Sequence, residues 1–191
     1  MKLVLASSSP FRKALLEKLQ LEFTCDSPDI DESPLPNESI EAMVLRLAEA
    51  KARALASQHP DSLIIGSDQS ASLHGKVLNK PGNYDVAFQQ LKAASGQTIS
   101  FHTSLCLYNS RTDESETISD PYTVVFRELT DSEISNYLKR EQPYNCAGSF
   151  KSESLGISLF ASMNGKDPNT LIGLPLIELC RMLKANGMPV I

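Results

Sequence analysis

Leu3-Val4-Leu5-Ala6-Ser7-Ser8-Ser9-Pro10-Phe11-Arg12-Lys13-Ala14-Leu15-Leu16 is the stretch on which the fold is read. Leu3 to Ala6 is a short apolar run that predicts a buried first strand. Ser9 is a good N-cap and Pro10 a good first helical residue, so a helix is expected from Phe11 to Leu19 with Leu15, Leu16 and Leu19 on one face. The unit is strand, serine loop, helix. Free N–H groups, the positive end of a helix dipole, hydroxyls such as that of Ser7, and the Arg12 guanidinium would then face one point, which suits a phosphate. The plainer alternative is a capped helix with a solvated arginine.

The same alternation continues outward. Residues 25 to 39 form an acidic loop with Asp26, Asp29, Asp31, Glu32 and Glu38 among three prolines, a length that in compact domains is usually functional or mobile. Glu38 to His59 carries a helical stripe of Ile40, Met43, Val44, Leu47, Ala54 and Leu55. Leu63 to Ser67 reads as a buried strand, followed by a hairpin at His74-Gly75 and a helix over Asn83 to Ala94. Ile99 to Leu107 and Tyr122 to Phe126 alternate as half-buried, antiparallel strands. Thr130 and Glu133 form a capping box for a helix through Arg140. A strand around Ile157 to Phe160, a turn at Asn164 to Asp167 and a helix from Pro175 to Asn186 complete the chain. Helices interleaved with strands, several alternating, predict an α/β fold with a mixed sheet.

Composition sets the outer bounds. The 191 residues are 41% hydrophobic, a globular proportion, and no repeat or low-complexity linker divides them. Apolar runs fall far short of the ~18 residues that cross a bilayer. No charged leader precedes a long apolar segment, so a cytoplasmic protein is expected. Cys25, Cys106, Cys146 and Cys180 are scattered without a C-x-x-C pair, as suits reduced buried thiols. The three histidines, His59, His74 and His102, have no metal-pair spacing. A net charge of −5 with no long basic run argues against broad nucleic-acid binding.

Four further places carry chemistry. With Leu47 at zero and ~100° per residue, Lys51 falls near 40°, between Ile40 near 20° and Val44 near 60°. A lysine on an apolar stripe either snorkels from the helix end or turns toward a cleft. Gly66-Ser67-Asp68-Gln69 stands at the end of the most buried strand, where ligands gather in such sheets; Asp68 is placed to hold a metal or accept a proton, or else merely forms a turn. Lys80, twelve residues on, returns a cation to that mouth or is an exposed loop lysine. Cys146-Ala147-Gly148-Ser149-Phe150-Lys151-Ser152-Glu153 suggests no mechanism by itself. An arginine, two lysines, an aspartate and an acidic loop together suggest metal-assisted chemistry on a phosphate ester.

These segments have a family likeness. Residues 5 to 16, Asp29-Ile30-Asp31-Glu32, Arg46 to Ala52, Gly66 to Gln69, Asn79-Lys80-Pro81, Cys146 to Phe150 and Ile172-Gly173-Leu174-Pro175-Leu176 resemble the Maf family of nucleotide pyrophosphatases, in order and over essentially the whole chain. The likeness is greatest to its YceF branch, the 7-methyl-GTP pyrophosphatases. It implies a single Maf-like domain over residues 1–191, with an elongated, helix-flanked mixed sheet and two lobes around a deep nucleotide-binding cleft, as in Maf and ITPase-like folds. The implied reaction is metal-dependent cleavage between α and β phosphates, with Mg²⁺ or Mn²⁺, to a monophosphate and pyrophosphate. Carried over by position, Asp68 is the proton acceptor and, with Glu32, a metal ligand; Arg12, Lys51 and Lys80 form the phosphate clamp, alongside Ser7. Phe11, Gln69 and Glu153 occupy base-selecting positions. Phe11 departs from the arginine usual in the family and from the tryptophan expected in the nearest branch. An aromatic face at Phe11 and a carboxylate at Glu153 favour the cationic ring of 7-methyl-GTP over dTTP or UTP. The expected partner is a small nucleotide, with no nucleic acid or membrane, and a homodimer is compatible with the sequence. Competing functions are a nucleotide-binding regulator of cell division or septum formation, and a broad-specificity dTTP/UTP pyrophosphatase. A general phosphatase is disfavoured, because Asp-x-Asp and Cys-x5-Arg nucleophile motifs are absent.

Overall fold

The computed structural model describes residues 1–191. Strands β1 (Lys2–Ala6), β2 (Thr24–Asp26), β3 (Ser62–Leu73), β4 (Lys76–Leu78), β5 (Thr98–Asn109), β6 (Glu114–Phe126) and β7 (Phe160–Gly165) build one sheet in the order β2-β1-β3-β5-β6-β7, with β4 paired to β3. Helices α1 (Pro10–Glu17), α2 (Ile40–Ala54), α3 (Tyr84–Ala94), α4 (Asp131–Glu141), α5 (Pro168–Ile172) and α6 (Leu176–Ala185) connect them. Pairing is parallel for β1 with β2 and with β3, and antiparallel for β3 with β4 and β6 with β7, so the sheet is mixed. No helix is long and apolar enough to cross a membrane.

The chain divides into two compact units. The first comprises Met1–Gln69, His102–Asp120 and Asp167–Ile191, and the second Ser70–Phe101 and Pro121–Lys166. In the first unit the period-two alternation of strands sorts side chains onto two faces. Leu3, Leu5, Leu63, Ile65, Leu105 and Leu107 pack with Leu15 and Leu16 of α1 and with Leu179, Met182 and Leu183 of α6. Val4, Ala6, Ile64, Cys106 and Tyr108 point the other way, onto Ala48, Ala52 and Leu55. Each fully buried leucine or isoleucine contributes about 1.5–3 kcal/mol. The alternation holds from Ile99 to His102, but with both faces covered β5 is buried continuously from Thr103 to Asn109 rather than half-buried.

The second unit centres on four aromatic rings. Phe150 meets Phe101, Phe126 and Phe160 edge to face at 5.5, 5.6 and 4.9 Å, each pair adding about 0.5–1.5 kcal/mol beyond burial. Helix α4 begins with the expected Thr130–Glu133 capping box. The β3–β4 hairpin turns at His74 and Gly75, both at positive φ, as the sequence indicates.

Several expectations need correction. The stretch around Ile157 is a 3₁₀ turn over Leu155–Leu159, and the strand starts only at Phe160. A Cβ at Gly156 would lie 2.3 Å from the Lys151 carbonyl oxygen, so backbone packs on backbone there and extended pairing is lost. Helix α2 is capped by Ser39 and ends at Ala54, and α1 ends at Glu17. The acidic loop begins later than read, because Thr24–Asp26 pair with β1. Strand β3 does not stop at Ser67 but continues to Leu73, so Asp68 lies inside it. Only Cys106 of the four thiols is buried, while Cys25 is exposed.

Candidate active site

In the first unit the site is built where α2 lies on β3. A Cβ at Gly66 would sit 2.0 Å from the Ala48 carbonyl oxygen, so only glycine allows this approach. Lys51 follows Ala48 by one turn on the same helix face, and Asp68 follows Gly66 on the same strand face. The two side chains therefore meet: Lys51 Nζ donates to Asp68 Oδ1 at 2.7 Å. Lys51 is 7% exposed and Asp68 8%, so the lysine does not snorkel. Glu32, from the acidic loop, reaches the same ammonium at 3.1 Å although its side chain is 56% exposed.

Asp68 lies three residues beyond Ile65, the last β3 residue paired with β1. It is thus past the carboxyl end of its parallel neighbour, though not of its own strand. Ser104 of β5 braces it from below, donating to the Val44 carbonyl at 2.5 Å and accepting from the Asp68 N–H at 3.2 Å. One buried hydroxyl thereby links α2, β3 and β5.

Arg12 occupies the first turn of α1, whose N-cap Ser9 accepts from the Arg12 N–H at 3.4 Å. Its Nε donates to the Gly173 carbonyl at 2.9 Å, which also accepts from Ser67 Oγ at 3.0 Å. Desolvation lowers the guanidinium pKa, and the negative charges of Asp68 and Glu32 offset this only in part. These groups therefore share one electrostatic field. Ser7 is buried and accepts from the Ser9 N–H at 3.1 Å, a bond that leaves its own hydroxyl proton uncommitted. Phe11 is half-buried beside Arg12 and does not belong to the leucine-rich core.

Gln69 departs from the role read for it. Its amide nitrogen donates to Thr103 Oγ1 at 2.8 Å and to the carbonyls of Thr170 and Leu171 at 3.0 and 3.1 Å. Two amide protons facing three protein acceptors leave no donor for a base edge. The residue tethers α5 to the sheet, and any base contact would fall to its carbonyl oxygen.

Lys80 and Glu153 belong to the second unit, where both are exposed. The Asn79-Lys80-Pro81 turn is held by Gln90, whose Nε2 donates to the Asn79 carbonyl at 2.9 Å, while its Oε1 accepts from Ser149 Oγ at 2.6 Å. Gln90 thus joins the segment carrying Lys80 to the segment leading into Glu153. Burial raises the Cys146 thiol pKa; Lys151 and Lys80 lower it, and Glu153 and Glu141 raise it, so each of the four charges acts on that thiol.

No three His, Cys, Asp or Glu side chains gather as a ready metal cage. Glu32 and Asp68, two hard carboxylates on one ammonium, fit the mode in which one or two carboxylates share Mg²⁺ with substrate phosphates and water. Sequence reading missed Ser104 and assigned no task to Gly66 or Gly173. Glycine inside a strand pattern was a usable sign for Gly66; nothing local marks Ser104.

A family model described as Maf-like protein matches residues 2–186. A 7-methyl-GTP pyrophosphatase of Alcanivorax borkumensis is 58% identical over 186 residues, covering 97% of this chain and 94% of that protein. Proteins of the same name from Nitrosococcus oceani and Colwellia psychrerythraea are each 54% identical over 189 residues, covering 99% of this chain and 95% and 94% of theirs. Among solved structures, a HAM1 protein from Coxiella burnetii aligns over 97% of this chain and 99% of its own with a TM-score of 0.53 and 16% identity, a likeness of fold alone.

Proposed function

The chain belongs to the Maf family, and we propose that it is a nucleoside triphosphate pyrophosphatase whose substrate is 7-methyl-GTP. The observation that carries the reading is Lys51, buried between Asp68 and Glu32 in the field of Arg12. Opposite charges gathered at one point can exchange partners when a polyanion enters. The names of relatives 54–58% identical over nearly their whole length support the substrate.

In this reaction a water oxygen bonds to the α phosphorus and the bond to the α–β bridging oxygen breaks, giving 7-methyl-GMP and pyrophosphate. Asp68 accepts the water proton. Lys51 and Arg12 transfer their attraction from protein carboxylates to phosphate oxygens, balancing the charge that builds on the departing pyrophosphate. With Nε fixed on Gly173, Arg12 keeps its terminal amino groups for bidentate contact. Ser7 donates its hydroxyl to the triphosphate, and Lys80 supplies a further cation. A divalent ion, Mg²⁺ or Mn²⁺, held by Glu32 and Asp68, would supply Lewis-acid polarisation of the phosphate.

For the base, Phe11 offers a face to the cationic purine, a stacking preference of roughly 0.5–2 kcal/mol. Glu153 accepts from guanine N1–H and its amino group while offsetting the charge at N7. Motif position and this complementarity support both assignments. Product identification over a panel of methylated and ordinary nucleoside triphosphates tests the proposal. The expected result is 7-methyl-GMP with pyrophosphate, and 7-methyl-GTP as preferred substrate. Saturable binding without turnover would overturn it in favour of a regulator, and release of orthophosphate would overturn the bond assignment.

A further inference from the structure

The turn that carries Glu153 is fastened from both ends by one carboxylate. Glu141, the last residue of α4, has a side chain only 11% exposed. On the near side of the turn it faces Lys151, whose Nζ donates to Glu141 Oε1 and to the Glu141 carbonyl, both at 3.3 Å. On the far side Glu141 Oε2 accepts from Ser154 Oγ at 2.7 Å and from the Leu155 N–H at 3.0 Å. Only Ser152 and Glu153 lie between these anchors. Their sole mutual side-chain bond is a long one, Ser152 Oγ to Glu153 Oε2 at 3.4 Å.

The surrounding segment is fixed independently of this carboxylate. Phe150 is locked in the aromatic cluster, Tyr137 Oη accepts from the Lys151 N–H at 3.2 Å, and Gly156 rests on the Lys151 backbone. The turn itself is closed by the Ser154 N–H donating to the Lys151 carbonyl at 3.3 Å, and Glu141 holds both of its ends without being needed to hold the core. Burial would raise its carboxyl pKa, but the bonds from Ser154, Leu155 and Lys151 outweigh burial and leave it lowered, so it bonds as an anion.

We propose that Glu141 is a positioning residue for base selection: it holds Lys151, Ser154 and Leu155 so that Glu153 is presented to the purine in one conformation. The inference rests on the reading of Glu153 as the base-selecting carboxylate. A glutamine at 141 keeps the shape but loses the charge and one acceptor oxygen, so the side chain can no longer accept from both Lys151 and the Leu155 N–H, and if it keeps Leu155, Lys151 is left with the 141 backbone carbonyl alone. The turn then samples several conformations and the carboxylate of Glu153 is displaced.

The test compares kcat/KM for 7-methyl-GTP and GTP on the wild type, Glu141→Gln, Ser154→Ala and Glu153→Gln, with thermal unfolding of each. In Glu141→Gln the preference for 7-methyl-GTP should fall about tenfold, within the roughly 100-fold that a 1 Å misplacement can cost, chiefly through a higher KM for 7-methyl-GTP. Ser154→Ala, which removes one bond at an exposed position, should shift the ratio in the same direction by less. If the ratio holds in Glu141→Gln and in Ser154→Ala while collapsing in Glu153→Gln, the positioning role is refuted and the reading of Glu153 stands. If it holds in Glu153→Gln as well, that reading fails and this inference with it. An equal loss of kcat for both nucleotides in Glu141→Gln would mark a merely structural role and overturn the proposal.

Discussion

Replacing Lys51 by methionine keeps the aliphatic stem on its stripe and deletes one positive charge between two carboxylates. Lys51 and Asp68 have side chains only 9% and 12% exposed and are 2.7 Å apart, so removing one partner of this buried pair should cost about 3–5 kcal/mol. The Glu32 arm, 56% exposed, is screened and adds at most about 1 kcal/mol. For a chain of this length each kcal/mol lowers Tm by about 2–4 °C, so a fall of about 10 °C is expected. Adding Asp68→Asn removes the orphaned charge, and the double variant should recover most of that stability. Activity should behave oppositely. Lys51→Met should lose about 100- to 1000-fold in kcat/KM, as for other lost transition-state donors, and the double variant should be no better. Urea unfolding and pyrophosphate release on the wild type, Lys51→Met, Asp68→Asn and the double variant measure both. Wild-type kcat/KM in Lys51→Met, or a double variant no more stable than Lys51→Met, would refute the argument that this pair is both a buried charge balance and a phosphate clamp.

Asp68→Asn alone should lower turnover at least ~100-fold with the fold intact by circular dichroism; activity within a few fold of wild type excludes Asp68 as the base. A chelator should abolish pyrophosphate release, added Mg²⁺ or Mn²⁺ should restore it, and Glu32→Gln should raise the metal concentration required. An unchanged metal titration removes Glu32 from the site. Phe11→Arg combined with Glu153→Gln should shift preference from 7-methyl-GTP toward dTTP in competition assays, and an unaltered ratio defeats the base assignment. Gly66→Ala forces a methyl into the Ala48 carbonyl and should destabilise by about 1–3 kcal/mol or more in denaturant titration, with loss of activity because the Lys51–Asp68 register moves.

Local sequence sufficed for elements whose signals lie within one turn of chain. Ser9 before Pro10, the Thr130–Glu133 box and the His74-Gly75 turn each act over a few residues, and each occurs where the pattern places it. The strand assigned around Ile157 failed because its competitor was not local. Glu141 and the backbone of Lys151 draw that segment into a 3₁₀ turn, and no windowed pattern registers a carboxylate 14 residues away. The far end of strand β3 carries no strand signal because Ser70, Ala71 and Ser72 lack the bulk of strand formers; Ala71, Ser72 and Leu73 are held extended by pairing with β4 instead.

For the site, helical periodicity alone put Lys51 on the inward face, since a side chain's direction on a helix follows from its position in the repeat. Motif order likewise determined which arginine, lysines and carboxylates were candidates. Partners are another matter, because they depend on segments that meet only after the chain has folded. Arg12 finds the Gly173 carbonyl 161 residues away, Gln69 commits its amide nitrogen to Thr170 and Leu171 more than 100 residues on, and Ser104 joins Val44 to Asp68. Hydrogen bonds are short and directional, so a shift of an ångström in how two elements dock decides whether a polar group meets a ligand or the protein itself. Chemical type and facing were therefore written in the sequence, whereas which atoms remained available for a substrate was decided only by the tertiary structure.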